Sequence, residues 1–219
     1  IKYTFQNIRF LLEQDVKMLV IACNTSSACS YELVKNGFNV PVVEVVRPGA
    51  MTVARETRNK KVGVIGTLAT INSGVYEKAI NMIDSSIKIV SKACPLFVPL
   101  IEEGFWHGQM AESIVRYYLE DTNSGFDKII LGCTHYPILK KHIIKNITAE
   151  IVDPADGIIK ELGTSYNLKH VGGLPKVNFY ITGDVEKFKV LSGRFLRTVY
   201  FRGYYFKMDL ETKKYHYFR

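Results

Sequence analysis

Two cysteines, Cys23 and Cys133, end two stretches of the same grammar: LVIACNT at residues 19–25 and IILGCT at residues 129–134. In each, an apolar run suited to a buried strand gives way to a small residue, a cysteine and then a threonine where a helix should begin. A thiol so placed feels the unpaired N–H groups and positive dipole end of the next helix, which favours its thiolate. The same N–H groups, with the side chains of Asn24, Thr25 and Thr134, suit a carboxylate or phosphate. If one sulfur takes a proton from a carbon and the other returns a proton to the opposite face, the stereocentre inverts, each thiol serving in turn as base and acid. That chemistry calls for no cofactor and no metal.

The elements that must position these thiols follow from the pattern around them. Residues 17–22, 42–46, 61–66, 87–91, 127–131, 151–152 and 177–182 read as strands, and the segments between them carry helical periodicity. Phe5, Ile8, Leu11 and Leu12 mark a first helix, and Gly37 suits a left-handed residue closing the helix over 25–36. Pro48 opens the helix to about residue 58, and Ala111, Ile114, Val115, Tyr118 and Leu119 form the inward stripe of a helix over 108–120. CPLFVPLIEEG at residues 94–104, with two prolines and the pair Glu102 and Glu103, reads as a shaped loop, and the glycine-rich segment 163–176 as a mobile connection.

Strands alternating with helices make this an α/β protein of parallel sheets. The doubled cysteine unit argues for two such domains related by a pseudo-two-fold axis, with the site in the cleft between them. Boundaries near Pro48 and Pro154 give one domain from residues 1–47 and 154–219, incomplete at its start, and a second from residues 48–153. In open sheets ligands gather beyond the carboxyl ends of the strands, so both sulfurs should lie on a ligand-facing rim.

Composition narrows the class. A 219-residue chain with 47% hydrophobic residues buries a sizeable core. No apolar run reaches the roughly 18 residues of a membrane span, and no signal peptide opens the chain, so a cytoplasmic protein without a membrane partner is expected. Four scattered cysteines fit a reducing compartment rather than a disulfide scaffold. Of the net charge of +8, +7 falls in residues 187–219, where nine Lys or Arg face Asp209 and Glu211. Basic residues among aromatics can hold single-stranded nucleic acid. A closing strand or hairpin with its edge guarded by Lys and Arg is the commoner reading, and nucleic acid is not the expected partner.

Each residue also has a plainer role. Cys29 and Cys94 read as inert, buried small hydrophobes, the usual fate of a lone cysteine after an apolar stretch. Thr25, Thr134 and Asn24 are equally suited to be helix caps. His135 can assist a proton transfer near neutral pH or satisfy a backbone group. Glu102 and Glu103 can be a solvated pair, or one can tune a neighbour.

Taken together, ACNT at residues 22–25, GCTHYP at 132–137, CPLFVPLIEEG at 94–104, VDPAD at 152–156 and FYITGD at 179–184 resemble the motifs of the glutamate racemase family, in the family's order. The resemblance implies cofactor-independent interconversion of L- and D-glutamate by a two-domain, often dimeric enzyme that supplies D-glutamate for peptidoglycan. On it, Cys23 matches the thiol that deprotonates D-glutamate and Cys133 the one that deprotonates L-glutamate. Asn24, Thr25, Thr134 and His135 match substrate contacts, His135 also assisting its cysteine, and Glu102 matches an auxiliary carboxylate. The family's opening Asp-Ser-Gly loop and its Pro-Tyr-Gly loop should precede Ile1, so the chain as written is expected to lack part of its pocket and to turn over little. A related racemase acting on aspartate or another amino acid is the alternative within enzymes. A nucleic-acid-binding role of the basic tail is the alternative outside them.

Overall fold

A computed structural model describes residues 1–122, 125–166, 176–195, 202–208 and 215–218. In chain order the elements are α1 (Lys2–Leu12), β1 (Leu19–Ile21), α2 (Asn24–Val34), β2 (Val42–Glu44), α3 (Val46–Glu56), β3 (Lys61–Gly66) and α4 (Leu68–Asn72). There follow α5 (Val75–Ile83), β4 (Lys88–Ala93), α6 (Phe97–Glu102), α7 (Gly108–Leu119), β5 (Lys128–Gly132), α8 (Lys140–Asn146) and β6 (Glu150–Val152). The last are α9 (Pro154–Ser165), β7 (Lys176–Ile181), α10 (Val185–Phe195), β8 (Arg202–Met208) and β9 (Tyr215–Phe218). Short 3-10 turns lie at Glu120–Thr122 and Tyr136–Leu139.

The chain divides into two compact units, Lys17–Leu168 together with Ile1, and Lys2–Val16 together with Lys169–Arg219. In the larger unit β4, β3, β5 and β6 form a parallel sheet in that order, with Val64 level with Ile130 of β5 and Ser91 of β4. Alternate residues of the central strands feed opposite faces. Ile65, Ile129 and Leu131 join Phe97, Leu119, Tyr136 and Ile143 on one side. Val62, Val64 and Ile130 join Val53, Tyr76 and Ile80 on the other. Each fully buried Ile or Leu contributes about 1.5–3 kcal/mol, so this two-faced core holds the strand ends in place. A second, two-stranded parallel sheet pairs β1 with β2, bringing Ile21 level with Glu44. Helix α9 crosses α3 closely: a methyl at Gly157 would stand 2.9 Å from Cβ of Pro48, so only glycine allows that approach.

In the smaller unit β7 and β8 pair in parallel and β8 and β9 antiparallel, so that sheet is mixed and the chain's basic end forms two strands. Phe10 of α1 packs edge-on against Tyr180 at 4.8 Å between ring centres, and Ile8, Ile181 and Val185 are buried. Phe10 rather than Leu11 or Leu12 is the second buried residue of α1, which shifts its inward face from the expected one.

Three local expectations are corrected. Residues 97–102 are helical rather than loop, because Pro99 falls in the helix's first turn, where its missing N–H has no bond to break. Gly37 is not left-handed; α2 ends at Lys35 in ordinary helical conformation, its N–H donating to Tyr31 O. Helix α9 runs on through Ser165, into the stretch expected as a connection; residues 167–175 of that stretch, and residues 196–201, 209–214 and 219 of the basic tail, lie outside the described residues.

Candidate active site

Strand β1 ends one residue before an exposed pair, and Cys23 then takes the N-cap position of α2 with extended backbone, its carbonyl accepting from Ser27 N at 2.9 Å. Its thiol is exposed. Asn24 and Thr25 therefore lie inside the first turn of α2 rather than capping it. Both are tied to a neighbouring segment. Thr25 Oγ1 lies 2.8 Å from Thr67 Oγ1 and 3.0 Å from Thr70 Oγ1, and Tyr76 donates its hydroxyl to Asn24 Oδ1 at 2.6 Å. Thr67 is the N-cap of α4 and accepts from Thr70 N.

The second turn is built differently. Gly132 ends β5 where β3 runs so close that a methyl there would stand 2.8 Å from the Ile65 carbonyl oxygen. Cys133 follows it, 7% exposed and part of the core, and the chain then enters the 3-10 turn at Tyr136–Leu139 instead of a long helix. Burial pushes the Cys133 thiol up to about 11, the Cys23 sulfur and Glu102 push the same way, and N–H groups of His135 and Tyr136 only partly oppose them. The expected lowering of this thiol is thus reversed: desolvation outweighs a short turn's few aligned N–H groups. The two sulfurs thus differ in exposure, Cys23 being open to solvent and Cys133 packed into the core. Tyr76 joins the two turns, its hydroxyl on Asn24 Oδ1 and its ring against Gly132, so the two thiol-bearing turns are neighbours.

Behind Cys133 stands a line of polar groups. His135 Nδ1 lies 3.9 Å from Cys133 Sγ, and His135 Nε2 lies 3.2 Å from Glu102 Oε1 at the end of α6. The helical turn that replaced the expected loop is what brings Glu102 here. A histidine held between a thiol and a carboxylate can accept a proton from the sulfur through whichever ring nitrogen carries the lone pair. Thr134, between the two, is exposed and caps no helix.

The remaining thiols separate cleanly. Cys94 is fully buried, its pKa pushed up to about 12 by burial, and its carbonyl accepts the Tyr136 hydroxyl at 2.9 Å. Cys29 is exposed on α2, contrary to the expectation of a buried residue, because it falls on the helix's outer side between inward Ser27 and Ser30.

Of the expected site residues, Cys133, His135 and Glu102 are thus brought into one chain of contacts, and Asn24 and Thr25 are anchored beside Cys23. Thr67, Thr70 and Tyr76 were not foreseen. The signal was in the chain: KVGVIGT at residues 61–67 repeats the grammar of strand, small residue and threonine, without a cysteine to draw attention to it.

A sequence model of the Asp/Glu/hydantoin racemases matches residues 2–162. The chain belongs to that family. It is 46% identical over 158 residues to the glutamate racemase of Geobacter metallireducens, 71% of this chain and 58% of that one. It is 40% identical over 203 residues to the glutamate racemase of Shouchella clausii, 89% of this chain and 72% of that one. It therefore spans less than two thirds of the first relative's length and somewhat more of the second's. A crystal structure of glutamate racemase from Francisella tularensis in complex with D-glutamate superposes with a TM-score of 0.86 at 34% identity, over 96% of this chain and 80% of that one. The glutamate racemase isoform RacE1 of Bacillus anthracis gives 0.87 at 31% identity, over 95% and 80%. The expected α/β architecture with parallel sheets is borne out, and among the described residues no helix is long and apolar enough to cross a membrane.

Proposed function

We propose that this chain carries the two-thiol machinery of a racemase that interconverts L- and D-glutamate without a cofactor. The observation that carries the reading is the line Cys133, His135, Glu102 beside a turn that Tyr76 ties to the one bearing Cys23, in a member of this family. One thiolate removes the α-proton, leaving a planar carbanion; the opposite thiol donates its own proton to the other face, and the two sulfurs have exchanged protonation states. Cys133 acts on L-glutamate and Cys23 on D-glutamate. His135 takes the Cys133 proton, and Glu102 stabilises the resulting imidazolium. A thiol with a pKa near 11 is ionised in about one molecule in ten thousand at pH 7, so Cys133 needs that help.

The N–H groups opening α2, the Asn24 amide and the hydroxyls of Thr25 and Thr134 hold the substrate carboxylates, with His135 beside them. Glutamate is supported as ligand by the D-glutamate complex of the Francisella relative. In the whole protein the product feeds peptidoglycan assembly in the cytoplasm, and the enzyme works as a homodimer. Exchange of the glutamate α-hydrogen in D₂O by the whole protein, followed by NMR together with optical rotation, tests the reaction. Exchange and loss of rotation with L-glutamate but not L-aspartate are expected; preference for aspartate overturns the substrate, and normal rates in Cys133→Ala overturn the mechanism.

A further inference from the structure

Tyr76 of α5 touches both thiol-bearing turns, although it belongs to neither. Its hydroxyl donates to Asn24 Oδ1 at 2.6 Å, one residue past Cys23. Its ring lies against the backbone before Cys133: a methyl placed on Gly132 would meet Tyr76 Cε2 at 3.3 Å. Both partners are buried, Tyr76 at 3% exposure and Asn24 at 3%. The tyrosine stays a neutral donor across any working pH, because burial foremost, then the charges of Glu44, Asp153 and Cys133, raise its pKa well above the ordinary phenol value.

The hydrogen bond has a directional consequence. A primary amide can rotate by half a turn and present either oxygen or NH₂ to a ligand. With Oδ1 engaged by the Tyr76 hydroxyl, Asn24 Nδ2 makes no hydrogen bond to a described residue, and its donors are left for a ligand. We propose that Tyr76 is a positioning residue for substrate recognition: it locks Asn24 with NH₂ toward the substrate carboxylate and, through its ring on Gly132, fixes the spacing of the two cysteine turns. This rests on the glutamate reading above. A carboxylate meeting NH₂ gains a hydrogen bond in the ground state and transition state alike, so loss of the lock shows as KM rather than kcat.

Tyr76→Phe keeps the ring and deletes only the hydroxyl. KM for both enantiomers should rise about tenfold with kcat changed less than threefold, the cost of one charge-assisted hydrogen bond. In an Asn24→Ala background the same substitution should change KM by less than twofold. A purely structural tyrosine would lower Tm without that dependence on Asn24. Unchanged KM in Tyr76→Phe, or an equal loss with and without Asn24, overturns the proposal. The ¹⁵N side-chain amide signals of Asn24, read without substrate, give an independent arm: they should shift and broaden in Tyr76→Phe, and an unchanged pair refutes the lock. Absence of glutamate turnover in the whole, unsubstituted protein would sink the racemase reading itself, and the amide signals would still decide the role of Tyr76.

Discussion

The two cysteine turns share a sequence grammar and differ in almost everything that sets a thiol's chemistry. Cys23 is exposed and opens an eleven-residue helix. Cys133 is buried at the end of a strand flanked on both sides, opens only a short 3-10 turn, and has His135 and Glu102 lined up behind it. The first turn faces solvent and a helix dipole; the second faces a core. In the reaction proposed above, the two bases that exchange roles over one carbon would thus stand in different surroundings. The lesson is that a repeated motif fixes where a functional atom sits, while the layer it is packed into fixes how that atom titrates.

The comparison is broken most directly by removing either sulfur. Cys23→Ala and Cys133→Ala should each lower racemisation by about 10³-fold or more, since half of the acid–base pair is gone. A full rate in either variant, measured by loss of optical rotation, would show that one turn suffices. Alkylation reads the asymmetry without turnover. With iodoacetamide at pH 8 and peptide mass mapping, Cys23 should label about 10²-fold faster than Cys133, whose thiolate is scarce and whose sulfur is buried, and Cys94 only on unfolding. Equal labelling of Cys23 and Cys133 would erase the distinction. Next comes His135→Asn, expected to cost about 10²-fold. Because the two enantiomers have equal free energy, kcat/KM must fall equally in both directions. The asymmetry appears instead in the α-deuterium isotope effect, which should grow for L-glutamate, where Cys133 is the base, and change little for D-glutamate.

The α/β class, nearly every strand and both thiol turns were legible because period and punctuation carry them: KVGVIG at residues 61–66 is strand β3 to the residue. What was not legible depends on packing. That a methyl on Gly132 would stand 2.8 Å from the Ile65 carbonyl oxygen, or that Cys133 is desolvated while Cys23 is not, is decided by strands β3 and β6 on either side of β5. Residues 94–104 looked like loop because two prolines outweighed FVPLIE, and only tertiary contact of Phe97, Leu100 and Ile101 with the core resolves them into the helix that delivers Glu102. Tyr76 was invisible for a similar reason, since its partner lies 52 residues away.

The smallest effects separate the two acids that stand behind the two turns. Glu102, 43% exposed by side chain, belongs to the line of polar groups behind Cys133; Glu44, 4% exposed, lies level with Ile21 of β1 and accepts from the N–H groups of Val46 and Arg47. Glu102→Gln removes a charge from a solvated pair, so turnover should drop about tenfold with Tm nearly unchanged. Glu44→Gln should do the reverse. Burial raises the Glu44 pKa despite the two backbone donors and Arg47, which lower it. In the folded protein it therefore takes up a proton at a higher pH than its unfolded value of about 4.3. As pH falls toward 4.3 the native state binds more protons than the unfolded one, so its stability is gained on acidification and forgone at neutral pH. Glutamine needs no proton and so lacks this pH dependence, although its NH₂ then opposes one of the two N–H groups that separate oxygens of the carboxylate accept. Relative to wild type, the variant should therefore fare about 1 kcal/mol better at pH 7 than at pH 4.5. Urea titrations at the two pH values read it directly. A variant less stable at pH 7 than at pH 4.5, relative to wild type, would mean that the ionised carboxylate at the N-terminus of α3 is worth more than its burial costs.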